Sequence, residues 1–295
     1  MSTLNTDIVM NLYADFAAAC ARELQAAGYT SPAGTDADII RAYANVRHRR
    51  VSVHPRTVHK ASYAVPSALV AGEQAFLAAV TAGHDLRPYQ STRLETHDFN
   101  DGMLNDFGIQ HFHLGIGPHR NKPGFKDRTE PVLVAIVRDD DFYSLGCHPH
   151  GAWAQQSLLD LAHATWPTLL APSAPHDPQA QVAFTATDAD IEQLRRAGIN
   201  PITQRSDRTI HASPGGGSMS NRGSANAARD VTRIKGLCND WERKIKSQVS
   251  PMLTSGTLVG PVTLHLEHRG ADTFVVGPND TPKIKLGRNL VVPPL

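Results

Sequence analysis

The chain has 295 residues, 41% of them hydrophobic, and a formal charge of +1: enough apolar material for about two ordinary domains, and too little net charge for a global nucleic-acid-binding field. Cys20, Cys147 and Cys238 are widely spaced, form no paired zinc or redox motif and suit a reducing compartment. The first residues lack the basic-then-apolar pattern of a secretory leader, and no run approaches the roughly 18 apolar residues of a membrane helix, so a cytoplasmic location without a membrane partner is expected.

Residues 4–27 place Ile8, Leu12, Phe16, Cys20 and Leu24 at every fourth position, which predicts an amphipathic helix stopped by Gly28. Further helices are expected over 36–46 and 67–80, the latter ending at Gly83, and 51–63 reads as a connector or edge strand around Pro55. Residues 1–90 thus form a helical N-terminal region. Over 91–170 the expectation is a His-bearing antiparallel meander with a helix. Its first strand covers 109–115, and the unbroken apolar run 132–137 suits a central strand covered on both faces. Asp139, Asp140 and Asp141 make a turn, 142–147 returns, and a helix over 152–164 closes at Trp166-Pro167. Pro172, Pro175 and Pro178 mark a linker. The remainder, 180–295, reads as a C-terminal α+β domain with strands at 182–185, 209–212, 262–268 and 273–276 and a helix over 188–197. A long helix over 224–246 presents Ala227, Val231, Ile234, Cys238, Trp241 and Ile245 at three- and four-residue steps. The fold class expected is α+β.

Chemistry gathers on the meander. In a strand, side chains two apart share a face, so His111 and His113 stand opposite Phe112 and Leu114, while His148 and His150 end the third strand. With the central strand between them, all four imidazoles are expected near one patch of sheet. The hairpin after the first strand carries His119, Arg120, Lys122, Lys126 and Arg128, cations suited to phosphate oxygens. Imidazole titrates at about 6.5 and serves as acid or base near neutral pH. Metal-free RNA cleavage then takes His111 or His113 as base, His148 or His150 as acid, Arg128 and Lys126 as stabilising charges, and Arg120, Lys122 and Lys126 as phosphate contacts. No cofactor is needed in that reading. The same His111, His113, His148 and His150, helped by Asp98 or Asp101, also suit a divalent transition metal in a hydrolase. In the non-enzymatic alternative the histidines are structural, in a module that binds nucleic acid or protein.

The order of helices, the strand HFHLG, a basic hairpin, the strands VLVAIVRDDD and FYSLGCHPH and a following helix resembles the bacterial RelE-type ribonuclease toxins over about residues 98–166. That resemblance implies metal-independent RNA cleavage by His, Arg and Lys on antiparallel strands. The chain is roughly three times as long as such a toxin and adds a C-terminal domain. The segment 105–115, PVLVAIVRDDDFYSLGCHPHGAW and the later PGGG are also similar to a widespread group of uncharacterised bacterial proteins, which implies no activity. The expected function is a nucleic-acid-cleaving enzyme, a ribonuclease of toxin or phage-defence type, with RNA and a cognate inhibitor protein as partners. The run Pro214-Gly215-Gly216-Gly217 lacks the Gly-Lys-Ser/Thr end of a phosphate loop and reads as an entrance loop capped by serine, with Arg222 near it. Arg41 and His48 are spaced as in helical ribonucleases, but Ala42 stands where those carry a polar residue, so that reading is set aside.

Overall fold

The computed structural model describes residues 8–30, 32–173, 182–204, 208–287 and 290–295. In chain order its elements are β1 (Ile8–Val9), α1 (Leu12–Ala26), α2 (Asp36–Arg49), β2 (Thr57–Lys60), α3 (Val70–Ala82), α4 (Gly102–Phe107), β3 (Ile109–Phe112), β4 (Val132–Val137) and β5 (Asp141–His148). There follow α5 (Ser157–Thr165), α6 (Asp188–Arg196), β6 (Ile202–Gln204), β7 (Ile210–Ala212), α7 (Ala225–Thr254), β8 (Val262–Thr263), β9 (His265–Arg269), β10 (Asp272–Val276) and β11 (Lys283–Gly287). The fold is α+β. The chain divides into two compact units, residues 45–226 and a second built from residues 1–44 with 227–295. These boundaries differ from the three consecutive regions expected. The first helix groups with the C-terminal segment, and β2 leaves the supposed helical region to join the meander. The strand expected at 182–185 is irregular chain, and the proline-rich linker lies largely outside the described residues.

In the 45–226 unit, four strands run in the order β2-β5-β4-β3. The apolar run became β4, antiparallel to both β3 and β5, while β2 is an edge strand parallel to β5. Its alternate residues feed two cores. Val132, Val134 and Ile136 join Ile109, Leu145 and the apolar faces of α5 and α6. Leu133 and Ala135 join Phe112, Leu114 and Phe142 under Phe76 and Val80 of α3. A strand with no polar alternation needs cover on both sides to be stable, and the helices supply it. Inside α3, a Cβ on Gly72 would lie 1.8 Å from the Leu114 carbonyl oxygen, so α3 packs directly on the backbone that continues β3. Just before β3, Asp101 caps α4 by accepting from the Leu104 N–H (3.0 Å), and Gly108 ends it at a left-handed φ of 72°.

In the other unit, β9, β10 and β11 form an antiparallel meander and β1 pairs in parallel with β8. Asn11 caps α1, whose Leu12 N–H donates to Glu242 of α7 (2.8 Å); Asp15 accepts from the Leu266 N–H (2.8 Å). Of the face expected on α7, Ala227, Ile234, Cys238 and Ile245 are buried and Val231 and Trp241 only partly so.

Candidate functional site

Three of the four histidines come together. His111 and His113 stand on β3 and its continuation, on the face opposite Phe112; His150 follows β5, and its ring centroid is 5.9 Å from each of theirs. One ring nitrogen from each lies within 4.8 Å of the others. His148 stays out of this cluster, with Nε2 3.4 Å from the Leu145 carbonyl oxygen. The reason is register. His148 pairs with Val132 inside the sheet, and the turn that follows, closed by the Ala152 N–H on the Pro149 carbonyl, is what carries His150 across. Glu130 accepts from the His150 N–H (2.7 Å) and fixes that turn.

Each imidazole has a different environment. His113 is 2% exposed, and its Nδ1 accepts from the Thr129 N–H (3.1 Å), which leaves the proton of the neutral ring on Nε2. That Nε2 is buried with no hydrogen-bond partner among the described residues. Thr129 is itself held, its Oγ1 accepting from the Leu114 N–H (3.0 Å). Burial first, then the charge of Arg128 and the neighbouring imidazoles, pushes the His113 pKa down to about 3; burial, His150 and Arg128 lower His111 to about 4. His150 is exposed, and Arg128 Nη2 donates to its Nε2 (2.9 Å), so its proton sits on Nδ1. Trp153 packs on His111 (4.6 Å between centroids) and stands edge-on to His150 (4.9 Å).

His111, His150, Arg128 and Trp153 open into a cleft of about 860 Å³. Five arginines line it: Arg93, Arg128, Arg195, Arg196 and Arg222. Arg195 is committed to structure. Its Nε donates to buried Asp106 (2.8 Å), and its guanidinium lies 4.2 Å over Phe107 and donates to the Trp153 carbonyl. That clamp ties α6 to α4 and to the tryptophan under the imidazoles. Sequence reasoning missed Trp153, Asp106 and Arg195, because their partners are 42 and 89 residues away along the chain.

The basic hairpin does not take part as expected. Lys122 pairs with Glu95 (2.6 Å), Lys126 donates to the Ile116 carbonyl (2.9 Å), and neither these nor Arg120 lines the cleft. Arg128, at the base of that hairpin, does. Asp98 and Asp101 line the cleft but fall outside the histidine cluster, and Asp101 serves as the α4 cap. The glycine run is a packing device. Gly215 N–H donates to the Asp106 carbonyl and Gly217 N–H to that of Asn105, and a Cβ on Gly215 would lie 2.0 Å from the Leu104 oxygen. With those N–H groups used, the loop has no anion nest to offer.

The donor set fits a metal poorly as arranged. An ion 2.0–2.1 Å from three imidazole nitrogens needs them about 3.4 Å apart at tetrahedral angles, each with a free lone pair. Here the His113 lone pair faces Thr129, and the His150 Nε2 lone pair holds Arg128.

No family model matches the chain, and no curated protein or solved structure matches it either. Among the described residues, no helix is long and apolar enough to cross a membrane.

Proposed function

We propose that the cleft is the active site of a cytoplasmic ribonuclease that cleaves RNA without a metal. One observation carries this reading: His111 and His150 converge with Arg128 in an arginine-lined cleft. The resemblance to RelE-type toxins over 98–166 points the same way. Chemically, a neutral His111 takes the proton of the 2′-hydroxyl. The 2′-oxygen attacks phosphorus, and the bond to the 5′-oxygen breaks. Arg128 turns from His150 to the phosphate oxygens, where its charge stabilises the phosphorane. Released, His150 Nε2 takes a proton from solvent to give the imidazolium, and passes that proton to the departing 5′-oxygen. His113, buried behind both, holds the cluster in place and does not itself touch RNA.

The test is incubation of the full-length chain with a defined single-stranded RNA, with and without EDTA. Cleavage that resists EDTA, leaves a 2′,3′-cyclic phosphate and is lost in His111→Ala supports the reading. Absence of cleavage in every metal condition overturns it. A metal hydrolase is the second reading, favoured by the three ring nitrogens lying within 4.8 Å. For that, Arg128 must release His150 and the Thr129 bond must break; cleavage abolished by EDTA and restored by zinc or manganese would select it.

A further inference from the structure

We infer that the cleft holds a single RNA strand across several phosphates, and that Arg93 and Arg222 anchor phosphates other than the one being cleaved. The inference rests on the ribonuclease reading and adds to it the extent and strandedness of the substrate. Among the described residues, Arg196 is paired with Glu192, Arg195 with Asp106, and Arg128 faces His150. Arg93 and Arg222 also line the cleft, are exposed, and have no carboxylate partner among the described residues. Two cations with unspent charge, apart from the one at the imidazoles, suit a polyanion better than a mononucleotide.

Both are presented by hydrogen-bonded backbone. Arg93 sits in a short 3₁₀ turn (Thr92–Glu95), and its carbonyl accepts from buried Arg49, whose guanidinium also holds the Thr96 and His97 carbonyls. Its own guanidinium lies 5.1 Å over Phe99, which shares the wall and offers an aromatic ring beside a positive charge, the pairing that single-stranded nucleic acids use. Arg222 has a left-handed φ of 68° in a turn closed by Met219 N–H to the Gly223 carbonyl and Arg222 N–H to the Met219 carbonyl, both 2.7 Å. Such a φ is unusual for a non-glycine residue, and here it is held by two hydrogen bonds. His111 lines the same cleft and is partly exposed, and a single strand, whose unstacked bases can splay, suits such a cleft better than a duplex of fixed width.

Anisotropy titrations of the full-length protein with fluorescein-labelled 2′-O-methyl RNA octamers, which lack the attacking hydroxyl, test this. Arg93→Gln and Arg222→Gln should each weaken octamer binding several-fold and flatten the plot of log K against log salt by about 0.7, the slope that neutralising one phosphate of a single strand contributes. Arg120→Gln with Lys122→Gln, in the hairpin, should leave both unchanged, and a duplex of the same sequence should bind more weakly. Wild-type affinity and slope in both arginine variants, or equal binding of duplex, overturns the inference. If the octamer binds as described while unmodified RNA is never cut, the strand site stands and the ribonuclease reading fails; cutting that is indifferent to Arg93 and Arg222 gives the reverse.

Discussion

His111 and His113 should differ in what their removal costs. His111 is half-buried and its ring makes no hydrogen bond among the described residues, its backbone alone pairing in the sheet, so His111→Ala should leave the melting temperature close to wild type while cutting kcat/KM by about 10²-fold or more, as for loss of a general base. His113→Ala removes a buried ring and the acceptor of the part-buried Thr129 N–H and should cost about 1–3 kcal/mol in denaturant unfolding. On the other face Phe112, fully buried against Phe76 and Phe142, should cost about 3–5 kcal/mol as Phe112→Ala. The imidazoles also set a pH dependence. In the unfolded chain each takes a proton near pH 6.5, whereas in the folded chain His111 waits until about 4 and His113 until about 3. Below pH 6.5 the unfolded state therefore binds more protons, and stability falls on acidification until those folded values are reached. The drop in melting temperature from pH 7 to pH 5 should shrink in a His111→Asn, His113→Asn double variant; an undiminished drop would show that other groups drive it.

At the scale of elements, Gly72 sits inside a helix, where alanine is ordinarily better by about 1 kcal/mol. Here the new methyl would meet the Leu114 carbonyl at 1.8 Å, so Gly72→Ala should lower stability, read as a fall in the urea midpoint. Elements with a strong pattern were legible from the sequence. The unbroken run 132–137 announced a doubly covered central strand, alternation placed His111 and His113 opposite Phe112, and four-residue spacing marked α7 and α1, although Ile8, expected on the α1 face, pairs instead in β1. The cleft wall was not. Residues 91–107 are built from one 3₁₀ turn, irregular chain and the six-residue α4, too short for a hydrophobic period, and are stitched by Arg49 bonds to backbone carbonyls that any side chain would offer. Nor does any local pattern mark arginines 93, 195 and 222 as sharing one cleft. Clustered cations in the hairpin stand out for the opposite reason: they are adjacent in sequence, but two of them are engaged at the surface.

At the scale of the whole molecule, the chain is nested: residues 45–226 form one unit, and the two ends of the chain meet in the other. Dividing it into consecutive thirds fails because compactness follows contacts between segments that sequence order keeps apart. A fragment from Asp36, which keeps α2 whole, to Asn226 should fold cooperatively and retain the histidine cluster; loss of cooperative unfolding by circular dichroism would show that the cleft unit depends on the terminal segments. Nesting also fixes an order of events on the ribosome. The segment that bears the imidazoles and all five arginines is complete, and can fold, while residues 227–295 are still being made, since domains fold as units behind synthesis at about 5–20 residues per second. If the cleft cuts RNA, each nascent chain is armed while residues 227–295 are still being added, tethered to the message that encodes it.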